Sequence, residues 1–329
     1  MSYLLSPKHI IRTARGGITK IRPLIHQSKF FIEKCSYGEV EERLGKIRVL
    51  SPQESSMYLD REPGYRQVGY LPRKLGVLTV FFNPKESWWP RFRFHTSQSS
   101  KEALWALYKD FPSLKVSSLE YAIDFFCDSS ASANHLFYLL RRYMFFPYAQ
   151  ETSMDGGPFL GWDEPRKYNS VYHVHLGKNH AKIYERGDDD NGLEEGEGWL
   201  HKNVNRVRIE FTFARLFLVR NKVDSLGSLA KDAQFHRIVS PRIQFKNFKA
   251  SSPFPKDWHN YTAADEDGNI ECLMEEIFKA KKEGKLKNPR QYLEDNPMLK
   301  PFKQKILKRL RKFDSRWQTF FEDNFCPPF

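Results

Sequence analysis

The chain has 329 residues, and its 53 Lys and Arg against 40 Asp and Glu leave a formal net charge of +13 and a pI near 9.4. This excess of cations makes a nucleic acid the first partner to consider. The four dispersed cysteines exclude a secreted disulfide scaffold, and no stretch reaches the roughly 18 consecutive apolar residues of a membrane span. Because the N-terminus also lacks a signal-peptide core, the sequence predicts a cytoplasmic protein with no membrane partner.

An N-terminal region without a readable pattern precedes three short β-rich runs. Residues 1–65 show no sustained period of two or 3.6, so neither their structure nor their role is predicted. The runs VGYLPRK, GVLTVFFNP and PRFRFHTS then predict an antiparallel meander. The next run, SSKEALWALYKDF, predicts an amphipathic helix with Ser100 as its N-cap and Leu104, Leu107 and Phe111 at helical spacing.

The middle of the chain combines strand patterns with one helix pattern. The run KVSSLEYAIDFFCD predicts a strand, and SASANHLFYLLRRYMFF after it predicts a helix. The runs NSVYHVHLG and NHAKIYERG predict the two arms of a hairpin. Residues 188–197, which are acidic and rich in glycine, predict an exposed loop, and NRVRIEFTFAR predicts a further strand. This order of elements predicts an α+β fold.

The C-terminal region has helical patterning and is strongly basic. Between Lys279 and Arg316 there are fourteen Lys or Arg and four Asp or Glu, a net charge of +10. Asn-Pro pairs divide the region into helices, and the longest helix has cations around an apolar stripe. Such a helix can pack on the body of the protein and offer charge to DNA phosphates, and a merely solvated helix face explains the same pattern. The candidate DNA contacts are Lys305, Lys308, Arg309, Arg311 and Lys312.

Two carboxylates in the predicted strand LEYAID are candidate metal ligands. Glu120 and Asp124 are four residues apart, so they share one face of the strand. Carboxylate oxygens are hard ligands of the kind that Mg²⁺ and Mn²⁺ prefer. The alternative is a strand with a solvated face that ends in an acidic turn.

A pair of histidines lies in the first arm of the predicted hairpin. His173 and His175 flank a valine, so their imidazoles belong to the same side of the strand. Two imidazoles in this arrangement are candidate ligands for a divalent metal that polarises a phosphate. A pair of surface histidines without a metal is the alternative.

The second arm of the hairpin contains a tyrosine among charged residues. Tyr184 lies beside Lys182 and Arg186. A tyrosine can attack a DNA phosphate and retain the 5′ end as a phosphotyrosine, and nearby cations stabilise the phenolate and the pentavalent transition state. Tyr172, in the first arm, is the alternative nucleophile, and packing or hydrogen bonding explains either tyrosine without catalysis.

The strand NRVRIEFTFAR places its polar residues on one face. Arg206, Arg208 and Glu210 share that face, with apolar residues between them. The two arginines are candidate contacts of DNA phosphates, and Glu210 is a candidate metal ligand beside them. A plain amphipathic strand is the alternative interpretation.

These segments together resemble the Rep_trans family of rolling-circle replication initiators and related relaxases. The resemblance rests on LEYAIDFFCD, HVHLGKNHAKIYERG and VNRVRIEFTFAR, and it covers about residues 68–225. It implies an HUH-like central antiparallel sheet, a divalent metal, nicking of one strand and a covalent tyrosyl intermediate. By position, Asp124 and Glu210 match the acidic strand ends of the family and Tyr184 matches its tyrosine. The chain departs from the family in Arg186, where Lys is usual, in its acidic loop and in its His-Val-His sequence.

A further candidate DNA contact is the segment Trp88-Trp89-Pro90-Arg91-Phe92-Arg93, where aromatic residues and cations are interleaved. Aromatic rings can stack on unpaired bases while Arg91 and Arg93 contact phosphates. Packing of both tryptophans in the core is the alternative.

The sequence as a whole predicts an α+β protein with a central antiparallel sheet, flanking helices and a basic helical C-terminal region. The predicted organisation is an N-terminal region 1–65, a nicking domain 66–250 and a basic region 251–329. The predicted function is that of a replication initiator or relaxase of a mobile element, using Mg²⁺ or Mn²⁺ on single-stranded or hairpin origin DNA. A host helicase and a second copy of the chain are further candidate partners. A non-catalytic DNA-binding initiator or regulator is the alternative, and an RNA-binding protein would explain the charge alone.

Overall fold

The computed structural model describes residues 16–73, 76–96, 99–146, 151–155, 171–176, 178–186, 205–248, 283 and 293–325. The chain forms two compact units, each assembled from three separate stretches. Unit 1 comprises Met1–Pro23, Ile123–Phe211 and His236–Arg311, and unit 2 comprises Leu24–Ala122, Thr212–Phe235 and Lys312–Phe329. The division into regions 1–65, 66–250 and 251–329 stays a prediction.

Both helices and strands occur throughout the described residues, which confirms the α+β class. The strands are β1 (Ile18–Ile32), β2 (Arg48–Val49), β3 (Tyr65–Arg73), β4 (Gly76–Pro84), β5 (Phe92–Thr96), β6 (Lys115–Cys127), β7 (Met144–Phe145), β8 (Glu151–Asp155), β9 (Val171–Leu176), β10 (Asn179–Arg186), β11 (Arg206–Ala214), β12 (Gln244–Phe248) and β13 (Leu293–Asp295). The α-helices are α1 (Tyr37–Leu44), α2 (Pro52–Arg61), α3 (Lys101–Asp110), α4 (Ser130–Tyr143), α5 (Arg215–Arg220), α6 (Leu226–Lys231), α7 (Phe235–Val239) and α8 (Lys300–Phe325). None of the helices in these ranges is long and apolar enough to cross a membrane.

The main sheet of unit 1 has the strand order β1–β6–β11–β10–β9–β8. Strands β9 and β10 form the predicted antiparallel hairpin, in which Tyr184 pairs with Val171. The amide of Cys127, at the end of β6, donates to the carbonyl of Asn205 just before β11 at 2.8 Å. The end of β6 therefore lies beside the start of β11, and these two strands also run in opposite directions.

Helices and a second sheet complete unit 1. Helix α4 packs against β10, and β13, β12 and β7 form a separate three-stranded sheet. Phe302, near the start of α8, contacts Phe125 of β6 and Phe245 of β12, with ring centroids 5.7 and 5.5 Å apart. The apolar stripe predicted for α8 is thus buried in this part of the helix.

The sheet of unit 2 has the strand order β2–β3–β4–β5–β1–β6–β11. The predicted meander is confirmed, since β3, β4 and β5 pair antiparallel with Phe81 between Val68 and Arg93. Strand β1 continues the sheet by antiparallel pairing with β5, where Lys29 lies opposite His95. Helix α2 packs on β3.

The end of α8 packs in unit 2 through specific polar contacts as well as aromatic rings. Trp317 donates its indole N–H to the carbonyl of Leu229 at 3.1 Å, and Asp314 accepts the amide N–H of Phe235 at 3.1 Å. Both hydrogen bonds are buried, so they fix the position of this end of the helix in unit 2.

The helix starts follow from local capping. Ser100 accepts the amide N–H of Ala103 at 3.1 Å, as predicted for α3. Helices α1 and α2 begin with reciprocal capping boxes, Ser36 with Glu39 and Ser51 with Glu54. These two helices and the 15-residue strand β1 lie entirely in the region 1–65, for which the sequence predicted no structure.

Candidate active site in unit 1

The centre of unit 1 contains a carboxylate surrounded by three arginines. Asp124 of β6 is fully buried, with 0% of its surface exposed. Its Oδ1 accepts from Nε of Arg208 at 2.6 Å, and its Oδ2 accepts from Nη2 of the same guanidinium at 3.0 Å. Arg206 and Arg22 also donate to Oδ2, at 3.2 and 3.1 Å. The pairing with Arg208 is bidentate, which is the geometry that best orients a guanidinium.

The charges around Asp124 determine its protonation. Burial by itself raises the pKa of this carboxyl group, but the hydrogen bond from Arg208 and the charges of the three arginines outweigh burial and hold the pKa below its usual value. For Arg208 the signs are reversed. Burial lowers the pKa of its guanidinium, but the hydrogen bonds to Asp124 and the charge of that carboxylate outweigh burial and raise the pKa. The group is therefore a buried ion-pair network at neutral pH.

Asp124 does not fit the predicted role of a metal ligand in this arrangement. Both of its oxygens accept guanidinium hydrogen bonds, and three positive charges occupy the space from which a cation would approach. A divalent ion there would have to displace the arginines and would be repelled by them.

The predicted nucleophile lies next to this network. Tyr184 of β10 donates its hydroxyl to Oε2 of Glu210 at 3.0 Å, and Nη1 of Arg208 is 3.5 Å from the phenolic oxygen. The same Nη1 is 3.9 Å from Oε2 of Glu210, and Nζ of Lys182 is 4.0 Å from its Oε1. The structure therefore brings together the predicted residues Asp124, Lys182, Tyr184, Arg206, Arg208 and Glu210, and we call this set, with Arg22, the arginine–tyrosine site.

Alternation along β10 and β11 positions these side chains. Ala181 and Ile183 are buried, whereas Lys182 and Tyr184, which alternate with them, are half-buried on the other face. On β11 both faces are buried, the apolar one through Val207, Ile209 and Phe211 and the polar one through the site residues. The guanidiniums of Arg206 and Arg208 are buried against Asp124, and the role of these two arginines as contacts of DNA phosphates stays a prediction.

The site carries more positive than negative charge. Its cations are Arg22, Lys182, Arg206 and Arg208, and its carboxylates are Asp124 and Glu210, which gives a net charge of +2. Two of the cations reach solvent, since the side chains of Arg22 and Lys182 are 30% and 32% exposed. A partly buried excess of positive charge with an open side attracts an anion, and a phosphodiester fits this requirement.

Arg22 is a member of the site that the sequence did not predict. It lies 102 residues before Asp124, on β1, in the region without a readable pattern. Its guanidinium also lies over the ring of Phe126, 5.1 Å from the centroid. Nothing local in the sequence around Arg22 points to this contact, because it exists only after β1 and β6 pair.

Several predicted site residues have described backbones while their side chains lie outside the described part of the structure. In the hairpin, His173 pairs with Lys182, His175 with His180, and Tyr172 with Ile183. Arg186 is the last residue of β10. The proposed roles of His173, His175, Tyr172 and Arg186 stay predictions.

Glu120, the other predicted carboxylate ligand, is described in unit 2. It lies on β6, and its Oε2 is 3.5 Å from Nδ1 of His26 on β1. Both side chains are partly exposed, so the pair is a contact between neighbouring strands whose strength depends on protonation of the histidine.

The remaining predicted DNA contacts differ in exposure. Arg93 is half-buried in unit 2 and forms a close ion pair with Glu62, a carboxylate that also pairs with Lys29. Arg91 is exposed. On α8 the five predicted cations all lie on the exposed side of the helix, and these are Lys305, Lys308, Arg309, Arg311 and Lys312.

No protein-family model matches this chain, and no curated protein matches it. Among solved structures, the chain is similar to a rolling circle replication initiator protein from Geobacillus stearothermophilus, with 12% sequence identity and a TM-score of 0.42. The similarity covers 74% of this chain and 96% of that chain. At this identity and TM-score the likeness carries no functional argument, so the conclusion below depends on the residues of the arginine–tyrosine site.

Proposed function

We propose that this protein is a DNA-nicking replication initiator or relaxase that cleaves one strand with Tyr184. The observation that carries the proposal is the contact of the Tyr184 hydroxyl with Glu210 at 3.0 Å and with Arg208 at 3.5 Å. A tyrosine needs a proton acceptor and a nearby cation to attack a phosphate, and both are within reach of this hydroxyl. The resemblance of the surrounding strands to the Rep_trans family favours the same function.

The proposed reaction is a transesterification. The phenolic oxygen of Tyr184 forms a bond to phosphorus as its proton passes to Glu210, and the bond from phosphorus to the 3′ oxygen of the preceding nucleotide breaks. The departing 3′ oxygen takes up a proton from solvent water, and the 5′ phosphate stays on the tyrosine. The energy of the phosphodiester is kept in this bond, so a free 3′ hydroxyl can later reverse the reaction.

The cations of the site would stabilise the charge that develops in this reaction. Arg208 is held by Asp124 with its Nη1 toward Tyr184, so it is oriented before the substrate arrives. Lys182 and Arg22 are the partly exposed cations, and they are suited to contact the non-bridging oxygens of the phosphate. The net charge of +2 would fall to about +1 when a phosphodiester binds.

A divalent metal is part of the prediction from sequence, and the proposal routes no step through it. Asp124 does not fit as a ligand, and Glu210 already contacts the hydroxyl of Tyr184. Dependence on Mg²⁺ or Mn²⁺ stays a prediction that the cleavage assay below measures directly.

Binding of the DNA strand outside the cleavage site is assigned in this proposal to α8. Its exposed cations repeat along one side of a helix whose apolar side is buried, so packing fixes the backbone from which these side chains project. Contacts of this kind bind the phosphate backbone without reading the sequence.

The test is formation of a covalent adduct. Single-stranded DNA labelled at its 3′ end should give a labelled protein band in denaturing gels, whereas the same DNA labelled at its 5′ end should release a free labelled fragment. Tyr184→Phe should abolish both products, and Tyr172→Phe should retain them. Parallel reactions in EDTA, Mg²⁺ and Mn²⁺ measure the metal requirement. An adduct that survives in Tyr184→Phe would refute the assignment of the nucleophile.

A non-catalytic DNA-binding initiator or regulator is the second candidate. The burial of Glu210 and of both arginines on β11 favours it, since a purely structural ion-pair network has the same appearance. This function predicts specific DNA binding with no cleaved product in any divalent metal, and with no change in binding when Tyr184 becomes Phe.

A further inference from the structure

The turn between β4 and β5 presents one tryptophan to solvent and buries part of the next. Trp88 is 77% exposed, the highest value among the large hydrophobic residues described as exposed. Trp89 is half-buried and packs against the cluster formed by Tyr65, Val68 and Phe81. The structure therefore separates two adjacent residues that the sequence treated alike, as a pair that either stacks on bases or packs in the core.

The packing of Trp89 anchors the turn. Its ring lies directly over Gly64, where an added Cβ would come within 1.6 Å of it, so no larger residue fits below the ring. The ring of Trp89 is 5.6 Å from that of Tyr65, and the guanidinium of Arg93 lies 5.6 Å from its centroid. Glu62 pairs with Arg93 and so holds this cation in place.

Hydrogen bonds to backbone carbonyls hold both ends of the same turn. The amide of Lys85 donates to the carbonyl of Gly64 at 2.8 Å, and the hydroxyl of Tyr65 donates to the carbonyl of Pro90 at 2.9 Å. The amide of Trp89 also donates to the carbonyl of Glu86 at 3.2 Å. The backbone of the turn is therefore fixed on both sides. The indole of Trp88 projects from this backbone, with its ring centroid 5.5 Å from that of Trp89.

We propose that Trp88 is a stacking site for an unpaired base of single-stranded DNA, with Lys85 and Arg91 as the adjacent phosphate contacts. An aromatic side chain offers about 150–250 Å² of contact, which suits one base and is far below the roughly 800 Å² per partner of a stable protein interface. Lys85 and Arg91 are both exposed in the same turn. The choice of single-stranded DNA as the partner rests on the proposed function.

A stacking role for Trp88 also accounts for the different exposure of the two tryptophans. Trp89 contributes to folding, because it is packed on the core, whereas Trp88 contributes little burial and leaves a large apolar ring in water. Any of the four bases can stack on an aromatic ring, so such a site supplies affinity without reading the DNA sequence.

The test compares Trp88→Ala with Trp88→Phe and with Met57→Ala. Met57 is a matched control, because it is an exposed apolar residue of the same unit that lacks an aromatic ring. Binding of a fluorescent oligo(dT) of about 20 nucleotides is measured by anisotropy in EDTA, next to a duplex of equal length. Trp88→Ala should bind oligo(dT) about 5- to 150-fold more weakly, and Trp88→Phe should retain most of the affinity.

Three further measurements, of duplex binding, of salt dependence and of self-association, distinguish base stacking from other roles of Trp88. Duplex binding should change less than about twofold in Trp88→Ala, and Arg91→Ala should reduce the salt dependence of oligo(dT) binding whereas Trp88→Ala should not. Affinity of Trp88→Ala within twofold of Met57→Ala, or an equal loss on duplex DNA, would overturn the proposal. So would a change in self-association as the main effect of Trp88→Ala, since that outcome assigns the ring to a protein contact.

Adduct formation is scored on the same variants, so that this proposal and the nicking proposal fail separately. Loss of oligo(dT) affinity in Trp88→Ala without any adduct in the wild type supports the stacking site and contradicts nicking. An adduct in the wild type with unchanged oligo(dT) affinity in Trp88→Ala contradicts the stacking site and leaves nicking supported.

Discussion

Replacing Asp124 with Asn should destabilise unit 1 strongly. The change keeps the size of the side chain and removes the negative charge to which Arg22, Arg206 and Arg208 all donate. Two of these guanidiniums are buried, so they would be left with excess positive charge in a poorly hydrated environment. Removing one partner of a buried ion pair costs about 3–5 kcal/mol. The site would then hold four cations and one carboxylate.

Thermal unfolding followed by circular dichroism measures this effect. A loss of 3–5 kcal/mol corresponds to a fall in Tm of about 4–8 °C for a chain of this length. Asp128→Asn is the matched control, because Asp128 follows the end of the same strand but is exposed, and its carboxylate accepts hydrogen bonds from the nearby Ser129 and Ser132 and not from an arginine in the described contacts. We expect Asp128→Asn to lower the free energy of unfolding by less than about 1 kcal/mol.

A double-mutant cycle with Arg208→Gln separates the ion pair from general damage to the core. If the two residues stabilise each other, the loss in Asp124→Asn/Arg208→Gln should be smaller than the sum of the single losses by about 1–3 kcal/mol. A Tm for Asp124→Asn equal to that of Asp128→Asn, or strictly additive losses, would refute the account of the network.

Three other predictions concern pH, catalysis and salt. Burial raises the pKa of Glu62, but the hydrogen bond from His95 and the charges of Arg93 and Lys29 lower it to about 2 from an ordinary 4.5. This carboxylate therefore stabilises the fold by about 3 kcal/mol above pH 4.5, and this stabilisation is lost as the pH falls toward 2. In denaturant unfolding between pH 5 and 2, the free energy of unfolding of Glu62→Gln should depend less on pH than that of the wild type. Glu210→Gln should slow adduct formation about 10²- to 10⁴-fold in rapid-quench assays with unchanged DNA affinity, and an unchanged rate would exclude Glu210 as the base. Lys308→Ala should lower the slope of log affinity against log salt by about 1 in anisotropy titrations, and an effect no larger than that of exposed Lys46→Ala would count against α8 as the DNA-binding helix.

The helices and strands around the site could be predicted because their signals are local. The alternation in VRIEF fixes which residues of β11 share a face, and the serine at position 100 with apolar residues at helical spacing defines α3. The region 1–65 contained local signals as well, since Ser36 with Glu39 and Ser51 with Glu54 match the capping-box pattern. Strand β1 gave no such signal because its buried positions do not alternate regularly.

The sequence alone determined that Asp124, Tyr184, Arg208 and Glu210 lie on three strands, because each strand has a period that can be read from neighbouring residues. Only the tertiary structure decided what these residues contact. The partners of Asp124 lie 102, 82 and 84 residues away in the chain, and strand pairing turned a predicted metal ligand into the centre of an arginine network. Whether a carboxylate binds a cation from solution or one from the protein depends on which charges pack beside it, and no local pattern contains that information.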